Sequence, residues 1–220
     1  MAIYIVIFII FIAVFFFIQK MQKNMTENAS AVMEGNAQIL ADALRLNYEK
    51  IEKPDGKDIV SGGGTKIYGK YKNHDIEIIW FSYTKIKYQL GKNVMEYLID
   101  NHISIKGEKT SENWVISPIS KPVTKPTGVV EFDNILTISG NHSFTHQDFQ
   151  FIASFGWMNL KMQNGILTFS DDFNEFIQNT KGVTAMTKVV HPLWHTSTAN
   201  LTIDIPNVIN FIDFLIYAAG

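Results

Sequence analysis

The chain has 220 residues, a formal charge of −2 and no cysteine. Without thiols there is no disulfide scaffold, thiolate metal centre, iron–sulfur cluster or cysteine nucleophile. Arg45 is the only arginine, and the near-neutral balance gives neither the basic excess that tracks a phosphate backbone nor the acidic excess of a disordered chain, so no nucleic-acid partner is expected.

Residues Met1 to Ile18 are uncharged and apolar throughout. As a helix this run rises about 27 Å, close to a bilayer core of about 30 Å. No lysine or arginine precedes it, and Gln19 to Lys23 follows instead of a small-residue cleavage site, which predicts an uncleaved membrane anchor over 1–23. Lys20 and Lys23 on its C-terminal side place the large domain in the cytoplasm by the positive-inside rule, with an extracytoplasmic domain as the alternative.

Met33, Ala37, Leu40, Leu44, Tyr48 and Ile51 form one apolar stripe, widened by Ile39, Ala43 and Leu46, and predict an amphipathic stalk helix over 24–53. The stripe needs a surface to cover it: its own domain, a partner protein or a second copy of the chain. Pro54 to Gly56 ends the helix and opens an α+β domain over 54–220.

Within that domain, Ser61 to Gly64 reads as a flexible loop, and strands are expected over Lys66–Lys72, Asp75–Ser82, Lys85–Leu90, His102–Lys106 and Trp114–Ile119, with Asn93–Asp100 a short helix or strand. Lys121 to Pro126 is a stiff polar connector, which puts a possible subdomain boundary near 121–127. Further along come a strand over Val129–Ser139, a helix opened by Thr145 with Asp148 three residues on, and a hairpin over Trp157–Ser170 turned by Asn164-Gly165. Helices over Asp171–Gln178 and Val183–Val190, a strand over Leu201–Ile203 and a last helix from Pro206 to Ala219 complete the reading. That last helix is apolar around most of its circumference, with Asn207, Asn210 and Asp213 as a narrow polar strip, and predicts burial.

Charge is uneven: residues 65–110 carry eight lysines against five acids, and residues 127–220 carry three lysines against eight acids. The basic half is suited to anionic headgroups and equally to a solvated strand face.

Candidate chemistry is sparse. His142/His146 and His191/His195 have the i,i+4 spacing that chelates zinc or copper on a helix, but the first pair straddles the helix start at Thr145 and Pro192 interrupts the second. Ser61-Gly-Gly-Gly-Thr-Lys66 lacks the spacing of a phosphate loop. Asp171, Asp172 and Glu175 are explained by a helix N-terminus. The aromatic and basic residues of 66–72 and 80–88 match alternating strands as well as a nucleic-acid platform. No catalytic, cofactor-binding or metal site is assigned.

The succession Ile39-Leu-Ala-Asp-Ala-Leu-Arg-Leu-Asn-Tyr48, Ile67-Tyr-Gly-Lys-Tyr-Lys-Asn-His-Asp-Ile-Glu-Ile78 and Val130-Glu-Phe-Asp-Asn-Ile-Leu-Thr-Ile-Ser-Gly140 resembles uncharacterised bacterial single-pass membrane-anchored proteins. The resemblance implies no activity. In outline, a hydrophobic N-terminal helix, an amphipathic continuation and a β-rich head are also similar to type IV pilins, although the chain lacks their peptidase site and the glutamate they carry early in the apolar run. The expected protein is therefore a non-catalytic binding or scaffold subunit of a membrane or envelope complex, or an extracytoplasmic pilin-like structural subunit.

Overall fold

Ala37, Leu40, Ala41 and Leu44 recur at i, i+3, i+4 and i+7, and in the computed structural model they form the buried side of helix α1 (34–44), none more than 3% exposed. The structure describes residues 34–52, 59–89, 92–119, 126–156, 158–170, 194–196 and 201–220, with isolated positions 12, 14, 16, 17 and 20.

The helix stops nine residues before the expected end at 53, because Arg45 adopts a left-handed φ of 55°. The Leu46 amide then donates to the Ala41 carbonyl at 2.8 Å and the Arg45 amide to Asp42 at 3.2 Å, a Schellman closure that reverses the chain. Tyr48 and Ile51 consequently belong to strand β1 (Asn47–Ile51), not to the helical stripe. Ala37, Leu40 and Leu44 are buried in the chain's own core. Met33 lies outside the described residues.

Eight antiparallel strands make one sheet in the order β1-β2-β3-β4-β8-β7-β5-β6. The remaining members are β2 (Ile59–Tyr71), β3 (His74–Gln89), β4 (Lys92–Lys106), β5 (Asn113–Pro118), β6 (Leu136–Asn141), β7 (Asn159–Gln163) and β8 (Ile166–Ser170). A separate ribbon pairs β9 (Trp194–Thr196) with β10 (Leu201–Ile203). Helices α2 (Val130–Asp133), α3 (His146–Ser154) and α4 (Ile205–Ala219) complete the α+β fold.

Two-residue turns set the hairpin registers. Lys72 and Asn73 (φ 48° and 69°) join β2 to β3, and Asn164 and Gly165 (φ 53° and 73°) join β7 to β8 as expected from Asn-Gly.

Several expected elements merge or change. Asp75–Ser82 and the described part of Lys85–Leu90, which ends at Gln89, fall in the single strand β3, and Asn93–Asp100 and His102–Lys106 in β4. The glycine run expected as a loop is strand: Gly62, Gly63 and Gly64 pair with Tyr83, Ser82 and Phe81. A Cβ on Gly64 would meet the Trp80 carbonyl and the Phe81 ring, so only glycine lets these strands approach. The strand expected over 129–139 opens as α2, because the Asp133 carboxylate accepts from the Thr127 amide and hydroxyl, both at 2.9 Å, and from the Gly128 amide at 3.0 Å. Across the connector near 121–127, β5 and β6 pair from Pro118↔Leu136 to Asn113↔Asn141, so one sheet spans it. The sheet and core also include α1 and β1, which lie before residue 54. The expected helices over 171–178 and 183–190 lie outside the described residues.

One face of the sheet buries Ile67, Ile78, Ile103, Ile116, Leu160 and Phe169 beneath the helices. The Thr145 hydroxyl and Asp148 carboxylate cap α3 reciprocally. Asp204 caps α4, and at its other end the Ala219 carbonyl accepts from the Glu108 and Lys109 amides at 3.0 and 3.3 Å. Phe211 bridges α4 to the sheet and to the end of α3, with ring centroids 5.0 Å from Phe169 and 4.8 Å from Phe155. Burying each such side chain contributes about 1.5–3 kcal/mol.

Candidate functional site

Because side chains alternate along a strand, the sheet face away from the helices carries the residues between the core positions. Across it, register aligns Asn47, Tyr68, Glu77, Ser104, Thr168 and Lys161 in one row. Lys66 lies beside this row, 2.8 Å from Glu77, 4.0 Å from Glu49 and 5.3 Å from the centre of the Tyr68 ring. Hydrogen bonding to the Glu77 carboxylate, with its negative charge, raises the Lys66 ammonium above its ordinary pKa. Alongside the middle of the row, Tyr68, Glu77, Ser104, Lys106, Asn164 and Ile166 line an open depression of about 540 Å³. Its lining offers the Tyr68 phenol, the Ser104 hydroxyl, the Asn164 amide and the charges of Asp75, Glu77 and Lys106.

The histidines do not gather. His142 is half-buried, stacked on Phe144 at 5.7 Å and edge-on to Phe149 at 5.6 Å, and among the described residues its buried Nδ1 has no hydrogen-bond partner. His146, in the first turn of α3, is exposed. His191 lies outside the described residues, and His195 falls in β9. Among the described residues, no three histidine or carboxylate side chains are grouped to hold a metal ion. Asp171, Asp172 and Glu175 lie outside the described residues.

Most of the apolar run Met1 to Ile18 also lies outside the described residues. Positions 12, 14, 16 and 17 are helical, with Phe16 62% and Phe17 67% exposed. No described helix is long and apolar enough to cross a membrane.

The sequence alone did not reveal the row of polar side chains on the sheet face away from the helices. Its signal was present in the alternation of Lys66, Tyr68, Glu77 and Ser104 with isoleucines, but the row exists only once six strands are in register. Compared with family models, curated proteins and solved structures, the chain matches none of them.

Proposed function

We propose that this is a single-pass membrane protein whose α+β domain acts by binding, without catalysis, as an accessory or scaffold subunit of a membrane or envelope complex. The observation that carries the reading is the uncharged run Met1 to Ile18, helical at positions 12, 14, 16 and 17 with apolar side chains directed outward. Outward apolar side chains on a helix suit lipid, and in water they would expose area worth about 25 cal/mol per Å². The amphipathic stripe of α1 is used within the domain, which leaves the polar sheet face around Lys66, Tyr68 and Glu77 as the surface for a protein partner. Lys20 and Lys23 favour a cytoplasmic domain.

The test is alkaline carbonate extraction of membranes, combined with a single Ser139→Cys label at an exposed position of strand β6. The native chain has no cysteine, so an impermeant maleimide reports this site alone. Retention in the membrane pellet with labelling only after lysis is expected. Release by carbonate overturns the anchor. Labelling in intact cells reverses the orientation and favours an extracytoplasmic structural subunit of pilin-like outline.

A further inference from the structure

We infer that the depression beside Tyr68 is a binding site for a small neutral saccharide. This names a ligand for the binding domain read above and rests on that non-catalytic reading, not on the anchor. The site is built on rigid parts. Its base is β2, β3 and β4 in register, Tyr68↔Glu77 on one side and Glu77↔Ser104 on the other. Its wall is the loop after β4 packed on the β7–β8 turn: the Gly107 amide donates to the Gly165 carbonyl at 2.7 Å, and a Cβ on Gly165 would stand 3.0 Å from the Thr110 methyl. At about 540 Å³ the depression has the size of small-molecule sites, roughly 300–1,000 Å³.

Charge narrows the ligand. Glu77 is held by Lys66 at 2.8 Å, and Asp75 and Lys106, of opposite sign, lie one residue beyond the Ile76↔Ile105 pair. Acids and lysines balance, so the site has no positive excess with which to hold a phosphate or a polyanion. The large apolar residues of its lining are Tyr68, Ile76 and Ile166, too few to enclose an acyl chain.

What remains is what a sugar needs. A pyranose presents C–H groups on its faces and hydroxyls around its edge, and each hydroxyl both donates and accepts. Lys66 stands on one side of Tyr68, 5.3 Å from the ring centre, whereas the lining continues the other way, along β2 to Gly69 and along β3 to Asp75. The side of the ring away from Lys66 is thus left to receive sugar C–H groups on its electron-rich face. Around it Asp75 and Glu77 accept, the Lys106 ammonium donates, and the Ser104 hydroxyl and Asn164 amide do both.

The full-length chain is placed in phosphatidylcholine nanodiscs or, should it not enter them, in plain buffer, with no sugar-headed detergent. It is titrated with cellobiose, maltose and N,N′-diacetylchitobiose, and separately with glucose 6-phosphate, read by saturation-transfer NMR and by the spectrum of each sugar over time. At least one neutral disaccharide is expected to bind, with saturation strongest at ring C–H protons. Asp75→Ala, at an exposed position that spares the fold, and Tyr68→Ala should each weaken binding about tenfold, while Tyr68→Phe should hold it within about twofold. Tyr217→Ala, an exposed tyrosine on α4, should leave binding unchanged. Binding of none of the neutral sugars overturns the inference and leaves the scaffold reading standing. Binding that is unaffected by both Asp75→Ala and Tyr68→Ala, or that is seen with glucose 6-phosphate alone, also overturns it. Binding accompanied by cleavage of the disaccharide supports the site and overturns the non-catalytic reading instead.

Discussion

The Asp213 carboxylate of α4 lies 2.8 Å from the Lys72 ammonium in the β2–β3 turn, tying the last helix to a hairpin made some 140 residues earlier. The polar strip expected on the helix thus has a counter-charge. Contact with Asp213 raises the Lys72 ammonium above its ordinary value of 10.5, while burial first, and then the Asp213 charge, raise the Tyr71 phenol above 10.0.

Both groups bind their proton more tightly in the folded chain. Their contribution to stability is complete below the unfolded values of 10.0 and 10.5 and is lost as pH rises through the folded ones. Denaturant midpoints measured from neutral to strongly alkaline pH should fall above about pH 10, and Asp213→Asn should flatten that fall. An identical alkaline slope in the variant would show that the contact is not made in solution.

Phe211 is fully buried and joins Phe155 to Phe169, so its removal leaves a cavity that α4 and the sheet cannot both close. Phe211→Ala should cost about 3–5 kcal/mol in urea unfolding, whereas Tyr217→Ala, on the exposed side of the same helix, should cost far less. Equal losses at the two positions would mean that α4 is not docked by this face.

Arg45 ends α1 in a left-handed conformation that disfavours any side chain with a Cβ. Arg45→Gly should therefore stabilise the chain by about 0.5–1 kcal/mol, read as a raised denaturation midpoint. A loss of stability instead would rule out the Schellman closure at this helix end.

Where conformation is encoded within a few residues, the sequence alone was sufficient. Asn164-Gly165 has the positive φ angles of a tight turn, Thr145 and Asp148 cap each other three residues apart, and the periodicity of Val208, Phe211, Ile212 and Leu215 marks a buried helix. The same logic misread Tyr48 and Ile51, whose spacing continues the α1 stripe, because pairing with Ile67 and Gly64 outweighs a weak helical preference. It misread Gly62 to Gly64 as a loop because the need for glycine comes from Trp80 and Phe81 on the neighbouring strand. Residues 130–133 fit a strand pattern until Asp133 gathers Thr127 and Gly128 into a turn.

The chain by itself determined the absence of thiol chemistry, the apolar N-terminal run, the α+β character and the turns, since each depends on residue type or on neighbours a few positions away. Only the tertiary structure decided that β8 lies beside β4 and β5 between β7 and β6, and that Tyr68, Glu77, Ser104 and Thr168 align in one row across the sheet. Those relationships join residues far apart in the chain, and strand pairing at such separation is selected by the mutual fit of whole faces rather than by any local preference.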